Sequence, residues 1–266
     1  MQLYHVINRL SLLSSLFLSV MPWYGAVAVE LHIAVATNFI ETLLQLKPLF
    51  EQETGHRLII TTNSITVLYQ KIKNNEIAAD VLLSSNEKHP NLLIEEKLAI
   101  PESFFVYAVG RLIFWTKSVP IEQLNQKSLL KINTISMPDP KSTTYGYAAQ
   151  QVLERLKLWE IIQPKIRLTR TMSEAYQNTK NNQTEAGFIG LAQYLSSLDN
   201  LGTTYWIIPQ YLHSPLTQGA VILSSTQHLA VAQDFLKFLQ HPDSLKIIRE
   251  FGFRTHSQFM NEQQDD

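Results

Sequence analysis

The stretch ELHIAVATNFIETLLQLKPLFEQETGHRLIITTN, residues 30–63, contains the strand-helix-strand pattern from which the fold is predicted. Residues 30–36 are rich in aliphatic side chains, and this run predicts a strand. Residues 39–53 carry apolar side chains at helical spacing and stop before Gly55, which suits a helix C-terminus. A second aliphatic run at 57–62 predicts another strand, so the stretch predicts a parallel pair with a helix packed on it. The apolar side of the helix is predicted to consist of Leu43, Leu44, Leu46 and Phe50.

The alternation of strand and helix signals continues from this stretch to the end of the chain. Strands are also predicted at 80–84, 133–137, 166–171, 186–190, 205–209 and 217–223, and helices at 67–74, 90–96, 145–156, 173–180, 229–239 and 242–251. The run 104–115 is long for one strand, since strands usually span about 3–10 residues, and Gly110 marks a bend between two lobes. The pattern predicts an α/β fold with mostly parallel sheets, arranged as two lobes around a cleft.

The lobes are predicted to share the chain unequally. Residues 29–110 form the first part of lobe 1, and residues 111–217 form lobe 2. Residues 218–266 return to lobe 1 and end in two helices, followed by a polar, frayed tail after His256.

Residues 1–28 have the order of a secretory signal peptide. His5 and Arg9 precede an apolar run at 10–21, and the small-residue triplet Ala26-Val-Ala28 ends the segment. The run is too short to span a bilayer of roughly 30 Å, and the triplet fits a cleavage site. We therefore expect export, cleavage after Ala28 and a periplasmic mature chain.

Composition excludes several classes of partner and chemistry. The chain has 22 basic and 23 acidic residues, and removal of Arg9 with the signal leaves 21 and 23. A near-neutral chain without a basic run argues against nucleic acid as a partner. The absence of Cys excludes disulfides, thiolate metal sites, Cys nucleophiles and a lipid-carrying Cys. These features predict a free, exported protein.

Four strand-to-helix turns carry short hydroxyl and amide side chains: 36–39, 62–66, 138–146 and 171–173. Ligands of open α/β sheets bind beyond the carboxyl ends of the strands. Helix starts there present unpaired N–H groups and a partial positive charge, to which Ser, Thr and Asn add donors. The turns therefore predict a polar ligand in the cleft. The alternative is that each polar side chain only caps its own helix.

An ordered series of short motifs resembles the periplasmic molybdate-binding protein family and covers essentially the whole mature chain. The motifs are 35–39, 50–56, 68–69, 80–85, 104–115, 138–140 with 145–146, 187–193, 220–222 and 247–253. The resemblance implies a two-lobed, type II periplasmic-binding-protein-like fold. It also implies a monomeric, non-enzymatic substrate-binding protein without a cofactor. Such a protein would deliver molybdate or tungstate to the membrane permease of an ABC transporter.

The resemblance also implies the ligand-binding residues. Thr37 and Asn38 would contact the oxyanion from the first turn, Tyr145 from the third and Met172 from the fourth, the last two mainly through backbone N–H groups. The metal would enter as an oxyanion, so no side chain is expected to ligate a metal cation directly.

The second turn departs from the family, where it is rich in Ser and Gly. Here it reads TTNSITV at 61–67. The usual hydroxyl position falls on Ile65, which can offer only its backbone N–H, and Ser64 stands just before it. Losing one charge-assisted hydrogen bond costs about 1.5–3 kcal/mol, so the departure bears on affinity and on the choice of anion.

Three alternatives remain. The same fold could bind sulfate or another small anion. A secreted α/β enzyme is a second alternative, although none of the eight His residues stands in a G-x-S-x-G or H-E-x-x-H motif and no P-loop is present. The third is the effector domain of a transcription regulator, against which the signal segment and the lack of a DNA-binding helix pair both argue.

Overall fold

The computed structural model describes residues 28–117, 126–196 and 204–262 and contains two five-stranded sheets. The strands are β1 (Glu30–Ala36), β2 (Arg57–Asn63), β3 (Val81–Leu83), β4 (Phe105–Val109), β5 (Leu112–Thr116), β6 (Ile135–Pro138), β7 (Ile166–Thr169), β8 (Ala186–Gly190), β9 (Thr204–Ile207) and β10 (Thr217–Ile222). The first sheet has the order β2-β1-β3-β10-β4, and the second has the order β7-β6-β8-β5-β9.

Helices connect the strands and cover the sheets. They are α1 (Ile40–Thr54), α2 (Ile65–Lys73), α3 (Lys88–Glu95), α4 (Gln126–Leu130), α5 (Thr144–Arg155), α6 (Trp159–Ile162), α7 (Met172–Lys180), α8 (Leu191–Leu195), α9 (Leu229–Gln240), α10 (Pro242–Glu250) and α11 (His256–Glu262). None of the described helices has the length and apolar character that a membrane crossing requires.

Each sheet is mixed, so the expectation of mostly parallel sheets was only half right. β1 pairs in parallel with β2 and β3, and β6 pairs in parallel with β7 and β8. β10 runs antiparallel to β3 and β4, and β5 runs antiparallel to β8 and β9. β5 and β10 are therefore antiparallel to both of their neighbours. Each is the first strand that the chain forms after it passes from one sheet to the other.

The chain crosses between the sheets twice. The long apolar run divides at Gly110 and Arg111 into β4 of the first sheet and β5 of the second. The second crossing lies between β9 and β10. The lobe boundaries predicted from the sequence run beside these crossings, and the division into 29–110 with 218–266 and 111–217 stays a prediction.

Strand β1 shows how the sequence builds the first sheet. Leu31, Ile33 and Val35 pack into one apolar core, and Ala34 and Ala36 pack into another on the opposite face. This alternation is the period of two that a strand covered on both faces requires. The core of the second sheet is separate and contains Phe114, Trp115 and Phe188, among others.

Helix α1 confirms its predicted end and corrects its predicted apolar side. Gly55 ends it with φ 75°, a left-handed conformation that favours Gly, and its N–H donates to the carbonyl of Glu51. Leu43, Leu46 and Phe50 are buried, but Leu44 is 46% exposed. The prediction for Leu44 was wrong because the buried stripe follows a spacing of three and four residues, which leaves Leu44 on the solvent side.

The structure covers the two ends of the chain to different extents. Of the predicted signal peptide, residues 1–27 lie outside the described residues. At the other end, the predicted frayed tail is wrong as far as residue 262, because α11 begins at His256 and buries Phe259.

Candidate functional site: a cavity among four helix starts

A small cavity lies where the carboxyl edges of the two sheets meet. Its lining comprises Ala36, Thr37, Asn38, Ser64, Ile65, Ser85, Thr143, Thr144, Tyr145 and Met172. All six residues predicted from the sequence are in this set. None of the ten lining residues carries a formal charge.

The strand order explains why distant segments meet here. β1, β2 and β3 are neighbours in the first sheet, and the register pairs Ala36 with Asn63 at the end of β1 and β2. The turns after these strands therefore lie side by side. β6 and β7 are neighbours in the second sheet and lead into α5 and α7. The four polar turns thus face one another in pairs across the gap.

Four of the six predicted residues have a backbone N–H group that is free to bind a ligand. They belong to Asn38, Ile65, Tyr145 and Met172, and none has a hydrogen-bond partner in the part of the chain that the structure describes. The last three stand in the first turn of α2, α5 and α7, where N–H groups have no partner within the helix. Thr37 differs, because its N–H donates to the carbonyl of Asn63 at 3.2 Å and leaves only its hydroxyl.

In the third and fourth turns, a hydroxyl side chain caps its own helix, as the alternative interpretation of these turns predicted. The Thr143 hydroxyl accepts from the N–H of Gly146 at 3.1 Å, and the Thr171 hydroxyl accepts from the N–H of Glu174 at 3.1 Å. Ser64 is the N-cap residue of α2, yet its side chain makes no capping hydrogen bond. Ser64 therefore lines the cavity with a hydroxyl that does not cap its own helix.

The side chains of Asn38 and Tyr145 contact other residues of the protein and are not available to a ligand. Asn38 Nδ2 donates to Gln218 Oε1 at 2.6 Å, and Gln218 Nε2 donates to the carbonyl of Leu216 at 2.6 Å. The Tyr145 hydroxyl packs against Gly110, where a Cβ would lie 2.0 Å from it. Burial raises the pKa of Tyr145 far above its usual value, and the Asn38 amide offsets part of this rise. The hydroxyl is therefore neutral.

Ile65 and Met172 also use their side chains elsewhere. Ile65 is buried in the apolar cluster that contains Leu68 and Leu82. The sulfur of Met172 accepts from the N–H of Gly190 at 3.2 Å. At both positions the group that remains available to a ligand is therefore the backbone N–H.

Four of the lining residues were not among the predicted ligands: Ala36, Ser85, Thr143 and Thr144. The Ser85 and Thr144 hydroxyls lie 3.1 Å apart, and Asn86 Nδ2 donates to Thr144 Oγ1 at 2.8 Å. These bonds join the first sheet's side of the cavity to the second. Thr66 adds another link, because its hydroxyl donates to the carbonyl of Ser142 at 3.0 Å. Only their position in the sequence could have indicated Ser85 and Thr144 as lining residues, since Ser85 follows β3 and Thr144 is the first residue of α5.

The cavity is suited to an anion rather than a metal cation. Its free groups are N–H and hydroxyl donors, and it contains no carboxylate. Among residues 28–117, 126–196 and 204–262, no group of three or more His, Asp or Glu side chains is arranged to hold a metal ion.

Two α/β halves that share an uncharged, donor-lined cavity define a two-lobed solute-binding protein. The chain belongs to the family of bacterial extracellular solute-binding proteins, whose family model matches residues 31–254. This membership removes the support for the secreted-enzyme alternative, because the family consists of binding proteins.

Individual relatives are also solute-binding proteins, and their alignments cover most of the chain. The molybdate-binding protein ModA of Rhodobacter capsulatus is 33% identical over 232 residues, which cover 86% of this chain and 90% of that protein. ModA of Azotobacter vinelandii is 31% identical, covering 86% and 91%. The solved structure of the Azotobacter vinelandii periplasmic molybdate-binding protein matches with a TM-score of 0.79 at 32% identity, covering 84% of this chain and 98% of that one. The predicted fold class and the family resemblance are thereby confirmed.

Proposed function

We propose that this chain is the periplasmic substrate-binding component of an ABC transporter and captures molybdate. One observation carries the choice of an oxyanion: unpartnered backbone N–H groups, among them those of four predicted ligand residues, surround a cavity without a charged side chain. The relatives named above support molybdate among the oxyanions. Tungstate has the same charge and tetrahedral shape, so we propose it as a second ligand.

Neutral donors are sufficient for a doubly charged guest. Each helix start carries roughly half a positive charge in addition to its free N–H groups. Three such starts, those of α2, α5 and α7, line the cavity. The hydroxyls of Thr37 and Ser64 supply two further donors. Hydrogen bonds to a charged acceptor are about twice as strong as neutral ones, so the set offsets the cost of removing the anion from water.

The same donors discriminate against protonated oxyanions. A hydrogen phosphate would direct its O–H toward a group that is also a donor, and a buried polar group without a partner is costly. A fully ionised dianion has only acceptors to present. We therefore expect phosphate to bind more weakly than molybdate at neutral pH.

We propose Thr37, Asn38, Ser64, Ile65, Tyr145 and Met172 as the ligand-binding residues. Asn38, Ile65, Tyr145 and Met172 act through the backbone N–H, and Thr37 and Ser64 act through the hydroxyl. We further propose that the mature chain is a monomer, begins at Val29 and passes its ligand to a membrane permease.

Isothermal titration of the chain lacking residues 1–28 tests the proposal. The titrants are molybdate, tungstate, sulfate and phosphate at pH 7.5. We expect one site per chain, tight binding of molybdate and tungstate, and weaker binding of sulfate. A chain that binds sulfate more tightly than molybdate would establish the alternative anion, and a chain that binds none of the four would remove the proposal.

A further inference from the structure

Gln193 is a buried residue beside the cavity that the proposed function does not use. It lies in α8, the short helix after β8, and only 2% of its surface is exposed. Its Nε2 donates to the carbonyl oxygen of Asn38 at 2.9 Å and to that of Thr37 at 3.2 Å. Both hydrogens of one amide group therefore hold consecutive carbonyls of the first turn.

The direction of these carbonyls sets the direction of the Asn38 N–H. The carbonyl of Thr37 and the N–H of Asn38 belong to one peptide group, and the described residues contain no cis peptide bond. In a trans peptide the C=O and the N–H point in opposite directions. Because the carbonyl is directed at Gln193, the N–H is directed away from it. Asn38 lines the cavity and Gln193 does not.

The neighbours of Gln193 hold it beside the first turn. Ala192 packs into the apolar core of the first sheet, although α8 follows a strand of the second. Gly190 leaves room for the amide, because a Cβ there would lie 2.4 Å from Gln193 Oε1. The hydroxyl of Ser173 adds a donor to the carbonyl of Thr37 at 3.4 Å.

The amide oxygen indicates which half of the Gln193 side chain matters. Gln193 Oε1 is buried and has no hydrogen-bond partner among the described residues. An unpaired buried acceptor lowers stability, so packing alone would favour an apolar side chain of similar shape. The donors on Nε2 account for the presence of an amide.

We propose that Gln193 is a positioning residue, which fixes the Thr37–Asn38 peptide group with its N–H turned toward the bound oxyanion. Accepting hydrogen bonds at the carbonyl also polarises the peptide group and strengthens its N–H as a donor. The inference rests on the proposed function for the identity of the ligand, but the orientation of the turn is a property of the chain itself.

The substitution Gln193→Met tests the inference, because Met keeps the length of the side chain and removes both donors. We expect the variant to bind molybdate roughly tenfold more weakly, the fold-change of one lost charge-assisted hydrogen bond. In amide NMR spectra, the molybdate-induced shift of the Asn38 N–H should shrink, while that of the Ile65 N–H persists. Affinity within twofold of the unsubstituted chain, or an unchanged Asn38 shift, would overturn the proposal.

A matched variant separates positioning from general loss of stability. Thr179→Val removes a buried hydroxyl that bonds to the carbonyl of Ala175 and to Thr184 Oγ1, and Thr179 does not line the cavity. We expect it to lower the melting temperature and leave the affinity unchanged. An equal loss of affinity in Thr179→Val and Gln193→Met would also overturn the proposal.

The ligand-free protein gives a readout that does not depend on the proposed function. NMR relaxation should show a lower order parameter for the Asn38 N–H in Gln193→Met than in the unsubstituted chain. If the unsubstituted chain binds no oxyanion, the proposed function fails and this comparison still decides the positioning role. Equal order parameters in the two proteins would contradict it.

Discussion

Ser64 is a residue at which we expect the effects on binding and on folding to separate. Ser64 lines the cavity, and its hydroxyl makes no capping hydrogen bond with α2. Thr171 has the opposite arrangement, because its hydroxyl caps α7 and it is not among the cavity-lining residues. The two residues occupy the same position in their helices, so they form a matched pair.

We predict that Ser64→Ala weakens molybdate binding about tenfold, since the anion loses one charge-assisted hydrogen bond. Its free energy of unfolding should stay within about 0.5 kcal/mol of the unsubstituted value, because no cap is lost. Titration calorimetry and urea unfolding measure the two quantities.

We predict the reverse for Thr171→Ala. Loss of its cap should lower the free energy of unfolding by about 1 kcal/mol and leave the affinity within about twofold. The same two measurements apply. If both variants lose affinity equally, the distinction between capping and ligand-facing hydroxyls is wrong.

His89 makes the stability of the protein depend on pH. Burial, with a smaller effect of the Lys88 charge, lowers the pKa of His89 to about 4. Its Nδ1 lies 3.0 Å from Asn86 Oδ1. Because the pKa is lower in the folded chain than the usual 6.5 or so, the unfolded chain binds the extra proton. The free energy of unfolding is therefore highest above pH 6.5, where His89 is neutral in both states, and it decreases as the pH falls toward 4.

We predict that His89→Gln loses less stability than the unsubstituted chain between pH 7 and pH 4. The two proteins should differ in this loss of unfolding free energy by at most about 3 kcal/mol, the limit set by the pKa shift. Urea unfolding at a series of pH values, without an anion, measures it. Parallel stability curves for the two proteins would show that His89 is not the group responsible.

The sequence located six of the cavity-lining residues, and the family resemblance implied backbone N–H groups at Tyr145 and Met172, but the partner of the Asn38 side chain was not predicted. Short polar residues after strands marked the turns, because the periodicity of strands and helices is local. That Asn38 uses its side chain for Gln218 could not be predicted, since these residues are 180 positions apart and meet only through the strand order. Gln193 was missed for the same reason, being 155 positions from Asn38.

At the scale of elements, the turn at Gly110 connects the sheet crossing to the cavity. Gly110 lies between β4 and β5, and its N–H donates to the carbonyl of Leu216 at the second crossing. It also leaves room for the Tyr145 hydroxyl. Movement of the Tyr145 side chain would displace the start of α5, whose N–H groups face the cavity.

We predict that Gly110→Ala lowers both stability and affinity. The new Cβ would lie 2.0 Å from the Tyr145 hydroxyl, and such overpacking costs about 1–3 kcal/mol of unfolding free energy. Displacement of the α5 start should weaken molybdate binding roughly tenfold, by the loss of one donor. Melting curves and calorimetric titration measure the two effects.

Gly55→Ala is the matched control. Gly55 has φ 75°, and no atom lies within 4 Å of the position of a new Cβ. The left-handed conformation should cost about 1 kcal/mol, without any change in affinity. A Gly110→Ala variant that also keeps full affinity would contradict the link between the crossing and the site.

The elements themselves were largely predictable, and their arrangement was not. The strand and helix periods gave β1, α1 and β2 almost to the residue. The antiparallel entry of β5 and β10 leaves no local mark, because a strand has the same side-chain period in either direction. The start of α2 at Ile65, two residues earlier than predicted, follows from the apolar cluster that buries Ile65.

At the scale of the whole molecule, the anion should hold the two halves together. Hydrogen bonds such as Thr66 to Ser142 already cross the gap beside the cavity, and a ligand that accepts from helix starts on both sides adds further links. Ligand binding to the folded chain alone must raise its stability.

We predict that molybdate at a hundred times its dissociation constant adds about 2.7 kcal/mol to the free energy of unfolding. The melting temperature should rise with molybdate and tungstate, and rise less with sulfate at the same concentration. Thermal unfolding followed by circular dichroism measures this. Identical melting temperatures with all three anions and without any would contradict the ligand assignment.

A crystal structure of the chain grown with molybdate, measured at the molybdenum absorption edge, would show directly which atoms of the chain bind the anion. We expect one strong anomalous peak in the cavity, with oxyanion oxygens about 2.7–3.2 Å from the backbone nitrogens of Asn38, Ile65, Tyr145 and Met172. A peak bound instead by Lys or Arg side chains elsewhere, with this cavity empty, would contradict it.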